Sequence, residues 1–169
     1  LDYHYEHSPR DVQKKVFEEQ LQLAIDLNLP VIVHTRDADD DTLAILRNFS
    51  KQLANKAVIH CYTSGRPLAE WAINAEIFLG FTGILTFKAA ENVREIFAIA
   101  PIERVLLETD APYLAPIPFR GRQNGPHYLP FVAAKMLEIN SSYSSAELLG
   151  QIRENSIQLF NLADLMPVS

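Results

Sequence analysis

The chain has a single cysteine, Cys61, among 169 residues. That excludes an internal disulfide framework and any thiolate zinc cluster, so fold energy must come from a packed core and metal ligands from His, Asp or Glu. Long apolar runs are missing too. None approaches the ~20 residues of a membrane span, and the start lacks the basic stretch, apolar stretch and small-residue cleavage site of a secretory signal. No membrane partner is expected, and a cytoplasmic location is the default. Positive charge is in deficit: fifteen Lys and Arg against 21 Asp and Glu give a net charge of -6 and a pI near 5.3. That balance argues against capture of nucleic acid by the whole surface, although bound cations and a few arginines can reverse the sign at a local site. No internal repeat, low-complexity tract or dividing linker is visible, so residues 1–169 read as one domain. An initiating Met is absent as well. The chain opens at Leu1 and runs at once into a helix signal, and it is expected to be a piece of a longer one.

What is present is an ordinary globular composition, 48% apolar and 21% charged. Ser8, Pro9 and Asp11 offer an N-cap, a first-turn proline and a first-turn carboxylate. Val12, Val16, Leu23 and Leu27, with Phe17, Leu21 and Ala24 beside them, then keep helical spacing to residue 28. Residues 29–34 are a β-branched run too short for a helix, ending at His34. The unit repeats in kind: helix 41–49, strand 57–60 ending at His60, helix 67–74, strand 77–85, helix 89–99, and strand 104–110 ending in acid. Alternating helices and two-sided apolar strands predict parallel βαβ units, four strands in all. Residues 111–130 carry half of the ten prolines and read as a long rigid loop. Helices are expected over about 128–139 and from the Ser144–Glu147 capping box to about residue 162. Asn155 and Phe160 on that last helix read as capping and core, respectively.

In parallel α/β folds, functional side chains gather at the carboxyl ends of the strands. Three of the four strands end in His34, His60 and Asp110. Two imidazoles and a carboxylate suit zinc or manganese, and magnesium if further oxygen ligands join. The competing reading is hydrogen-bonded core or loop residues. Glu108 and Asp110, two apart on a strand, point to one face. Glu108 could orient a ligand histidine from behind or form an interior ion pair, while Asp110 at the mouth suits a ligand that also takes a proton from water. Arg120, Arg122 and Asn124, with Phe119 and Tyr113 close by, could hold a phosphate and stack a base, or could be a solvated surface loop. Arg36 is a further phosphate candidate. Ser64 and Gly65 carry no phosphate-loop pattern. Strand alternation turns Cys61 away from the face of His60, which favours a packed thiol over a nucleophile.

The segments Leu1-Asp2-Tyr3, Pro30 to His34 with Arg36-Asp37-Ala38, His60-Cys61-Tyr62, Gly83 to Lys88, Glu108-Thr109-Asp110-Ala111-Pro112-Tyr113-Leu114 and Glu154-Asn155 resemble the TatD family, in that family's order. The resemblance implies a TIM barrel of the metal-dependent hydrolase superfamily, a divalent metal centre with magnesium as the usual ion, and deoxyribonuclease activity from the 3′ end. By position it implies His34 and His60 as metal ligands and Asp110 as the ligand that activates water. It also implies an opening strand with a His-x-His pair and a metal-binding glutamate ahead of Leu1. The chain is short for a barrel of about 250 residues, so it is expected to carry the later strands, to lack the opening ones and to self-associate through its open edges. Two rival readings are an esterase or amidase using the same centre, for instance on aminoacylated RNA, and a non-catalytic barrel fragment that binds a partner.

Overall fold

A computed structural model describes residues 1–5 and 7–163. The elements run α1 (Arg10–Asp26), β1 (Val31–Val33), α2 (Asp39–Asn48), α3 (Ser50–Leu53), β2 (Ala57–Ile59), α4 (Arg66–Asn74), β3 (Phe78–Phe81), α5 (Glu91–Ile99), β4 (Val105–Leu107), α6 (Leu129–Ile139) and α7 (Ser145–Phe160). The four strands form one parallel sheet in the order β1-β2-β3-β4. Sequence order equals spatial order, as successive βαβ units wound in one direction require. The expected alternation and strand count are therefore present. The strands are shorter than their apolar runs, because residues 83–86 coil into a 3₁₀ turn after β3 and residues 102–104 into another before β4. No helix among the described residues is long and apolar enough to cross a membrane.

Strand alternation sorts the side chains into two layers. Ala57, Ile59, Leu79, Phe81 and Val105 face the main core, where Leu46, Leu68, Ile96 and Met136 of the helices cover them. Val58, Phe78 and Leu106 face the other way, with Leu159 of α7 over them. Ile32 is paired in register with Val58 and continues this second row, but it is 62% exposed. Two residues beyond Ile32, Val58 and Leu106 stand His34, His60 and Glu108, so the second face leads directly into the polar strand ends.

Five expectations about the elements need correction. In α1 the buried residue is Leu21, flanked by the partly buried Phe17 and Ile25, whereas Val12, Val16, Leu23 and Leu27 are exposed. The helix packs on the core by a different stripe from the one that spacing suggested. Ser8 does not cap it, since Pro9 holds the N-cap position without a side-chain hydrogen bond. Pro130 belongs to the first turn of α6, where a missing N–H costs nothing. Asn155 is fully buried and caps another segment: its Nδ2 donates to the carbonyls of Ile102 and Val105, both 2.8 Å away, and so anchors the entry to β4. Phe160, expected in the core, lies at the surface. The Ser144–Glu147 capping box is present in full, and its hydrogen bonds hold the Glu147 carboxyl below its usual range.

Candidate active site

Each chemistry-bearing strand end turns sharply. Asp37 after β1, Cys61 after β2 and Asp110 after β4 all have left-handed backbone, with φ of 54°, 47° and 57°. That conformation is tolerated by Asp and strained for Cys, and strain of this kind concentrates where side chains must be aimed. β4 ends at Leu107, so Glu108 and Asp110 are not neighbours on a straight strand as expected. They still reach the same imidazole, from opposite sides. His60 Nδ1 lies 2.7 Å from Glu108 Oε2, and its Nε2 lies 3.1 Å from Asp110 Oδ1. The hydrogen bond to Glu108 raises the His60 pKa; burial opposes it, and the charges of Glu108 and Asp110 add to the rise.

Glu108 reaches His60 because of a glycine. β3 lies between β4 and β2, and at the crossing it presents Gly80. A Cβ there would overlap the Glu108 carboxylate. The missing side chain is the passage through which a β4 residue grips a β2 residue, a use of strand glycine that permits close approach. The backbone N–H of Cys61 also donates to Glu108 Oε2, at 3.0 Å. Sequence reasoning passed over Gly80, although a lone glycine inside an apolar strand is the signal that could have found it.

His34 is held differently. Its side chain is 56% exposed against 25% for His60, and its Nε2 lies 3.5 Å from Asp2 Oδ2. The two imidazole centroids are 6.4 Å apart. Residues 1–3 run beside the end of β1: the Leu1 amine donates to the carbonyl of His34, Arg36 N–H to Leu1, and Tyr3 N–H to Arg36. Burial would raise the Asp2 pKa, but hydrogen bonds from the Tyr5 and His4 N–H groups and from His34 outweigh it and lower it. Within its motif Asp2 carries no signal that separates it from a surface carboxylate.

Around these groups lies a cavity of about 610 Å³ lined by His34, Arg36, His60, Cys61, Asp110 and Tyr113, among others. The strand ends thus bring together His34, His60, Asp110 and Arg36, with Glu108 behind His60. A second groove of about 640 Å³, containing Arg10 and Asp39 to Asp41, shares Arg36 and Thr63 with it. Arg120 and Arg122 are not in the lining; their guanidinium groups lie 4.0 Å from the Phe87 ring and 5.7 Å from the Phe119 ring. Asn124 is buried, with Nδ2 donating to the carbonyls of Thr109 and Tyr113 at 2.6 and 2.7 Å. Both of its amide hydrogens are spent on the loop backbone, so it braces the loop and is not placed to touch a ligand. Cys61 lines the cavity, contrary to the alternation argument, because β2 has ended and its φ is positive. Burial pushes its thiol up to about 11, which makes it a poor nucleophile.

The donor set fits a divalent cation in kind: two imidazoles and a carboxylate, with Glu108 fixing one ring from behind. It is incomplete in arrangement. Among the described residues no three His, Cys, Asp or Glu side chains are grouped as a metal cluster.

A parallel α/β sheet with strands in sequence order and imidazoles and carboxylates at its carboxyl ends is a layout compatible with part of a TIM barrel. Residues 1–161 match the family described as TatD related DNase, and the chain belongs to the TatD family. It is 38% identical over 162 residues to the uncharacterized metal-dependent hydrolase YabD of Bacillus subtilis, covering 96% of this chain and 63% of that protein. It is 35% identical over 167 residues to the 3′-5′ ssDNA/RNA exonuclease TatD of Erwinia tasmaniensis, covering 96% and 64%. The crystal structure of YjjV, a TatD homologue from Escherichia coli K12, superposes with a TM-score of 0.87 at 29% identity, over 95% of this chain and 61% of that one. The expected fold class is thereby shown. The chain spans about 60% of the length of these relatives.

Proposed function

We propose that this domain takes part in divalent-metal-dependent hydrolysis of phosphodiester bonds, acting on single-stranded DNA from its 3′ end in the cytoplasm. Magnesium is the expected ion, with zinc or manganese as alternatives. The observation that carries the reading is the hydrogen-bonded line Glu108, His60, Asp110, whose last two members line a cavity that also holds His34 and Arg36. His34, His60 and Asp110 would hold the ion, which when bound supplies Lewis-acid neutralisation of phosphoryl charge. Glu108 accepts the Nδ1 proton of His60, and Nε2, which faces Asp110 Oδ1, would give up its proton to take the ion. Asp110 stands at the mouth, where its carboxylate can accept a proton from an attacking water. Arg36 carries no carboxylate partner among the described residues and can pair with a phosphate. Arg120 and Arg122, on the neighbouring loop, would meet the strand further out.

The relative named as an ssDNA/RNA exonuclease supports this substrate class. The test is release of nucleotides from a 3′-labelled single strand with magnesium, beside EDTA and Asp110→Asn controls. Release that falls about 100-fold or more in Asp110→Asn is expected. Cleavage of carboxylic esters with no release from DNA would give the site to the esterase reading, and no hydrolysis of either would leave a binding module.

A further inference from the structure

The cavity has two tyrosines in its lining, and they are not equivalent. Tyr5 is already engaged: the Arg36 guanidinium lies 4.9 Å from its ring centroid, and the His7 ring stacks on it at 5.6 Å with an interplanar angle of 5°. Tyr113 is 71% exposed, and neither its ring nor its hydroxyl has a partner among the described residues. Phe119 of the same loop is also engaged, since it, Tyr128 and Phe131 of α6 pack on one another at 4.4 to 6.2 Å.

The backbone beneath Tyr113 is nevertheless fixed. Its N–H donates to the carbonyl of Asp110 at 2.8 Å, its carbonyl accepts from buried Asn124 at 2.7 Å, and Asn124 N–H returns to Pro112 at 3.0 Å. Leu114 follows with a left-handed backbone, and its carbonyl closes on Gly83, where a Cβ would overlap it. Sheet order places this loop, after β4, on the far side of His60 from Arg36, after β1. An exposed ring on a rigid mount beside the reacting groups loses little entropy on stacking and offers a flat apolar face.

We propose that Tyr113 is the stacking platform for a nucleobase next to the phosphate paired with Arg36, beside His60 and Asp110, and that it positions the strand. This rests on the single-strand reading above. Stacking alone is indifferent to base identity, so the platform suits a nuclease without sequence preference.

The test uses the purified chain in EDTA, where no cleavage occurs, and fluorescence anisotropy of a labelled oligothymidylate and its abasic counterpart. Tyr113→Leu is expected to weaken binding of the natural strand roughly 10-fold and Tyr113→Phe less than about twofold. The abasic strand should bind wild type about as weakly as the natural strand binds Tyr113→Leu, and Tyr113→Leu should barely separate the two strands. The side chain is exposed, so these variants keep the fold, which circular dichroism checks. Equal discrimination between natural and abasic strands by wild type and Tyr113→Leu would overturn the platform while leaving the nuclease reading intact if magnesium-dependent release persists. A wild-type chain that neither binds nor cleaves the strand would overturn both.

Discussion

The two ends of the sheet are built to different standards. At β2, β3 and β4 both faces are covered, the strand residues are almost all buried, and the strand ends lock into the Glu108, His60, Asp110 line. At β1 the packing is looser: Ile32 is exposed, Val12, Val16 and Leu23 of α1 are about half exposed, and among the described residues the His34 ring meets Asp2 at 3.5 Å and the His60 ring at a centroid distance of 6.4 Å. The difference teaches that this chain organises one half of its candidate metal site by itself and leaves the other half loosely defined. Preorganisation follows burial, because a gripped imidazole needs packed strands beneath it.

The comparison breaks most visibly in the core. Leu79→Ala in β3 should cost about 2–5 kcal/mol, since the side chain is fully buried and its cavity cannot collapse. Ile32→Ala in β1 should cost less than about 1 kcal/mol, because most of its surface is already in water. Urea titrations of the two variants check this, and equal losses would show that the β1 face is covered in solution.

Gly80→Ala is the next test, and it strikes the site through the scaffold. The added methyl must displace Glu108, at about 1–3 kcal/mol for overpacking, and His60 then loses its anchor. Manganese affinity, read by calorimetry, should fall about 10–100-fold. A variant with unchanged metal affinity would show that Glu108 does not orient His60.

This division also marks what was legible in the sequence. The parallel sheet could be read because short β-branched runs alternate with helical periods, and His34, His60, Glu108 and Asp110 could be read because each follows such a run. Gly80 could not be assigned a role, since its meaning depends on a residue 28 positions away that only strand order brings across it. The α1 stripe misled for a related reason. Periodicity reports which residues are apolar, while the neighbours present decide which of them are buried. Asn124 and Asn155 look alike as polar residues near motifs, and only the carbonyls around them show that both are internal braces.

The His60 pKa sharpens the comparison further. It is raised in the folded chain, so the stability it contributes without metal is fully present below the unfolded value of about 6.5 and is lost as pH rises through the folded value. Metal uptake has the opposite dependence, because the proton on Nε2 competes with the ion. Manganese binding should therefore be weaker at about pH 6 than at about pH 8. Glu108→Gln should move this transition to lower pH by removing both the strong acceptor and its charge. A transition that stays in place would show that Glu108 does not set the proton affinity of His60.

The smallest effect on stability should accompany a visible effect on assembly. Val16→Lys on α1 replaces a half-exposed apolar side chain and should change unfolding free energy by no more than about 0.5 kcal/mol. The same substitution places a charge on the apolar stripe that α1 leaves exposed, where pairing with a second copy would bury it. We expect the unsubstituted chain to sediment as self-associated species at micromolar concentration and Val16→Lys to shift it toward monomer. A corresponding change on the covered side, Leu149→Lys on the exposed face of α7, should leave sedimentation unaltered. If both variants or neither shift the distribution, association does not run through the β1 end, and the asymmetry of the sheet carries no consequence for assembly.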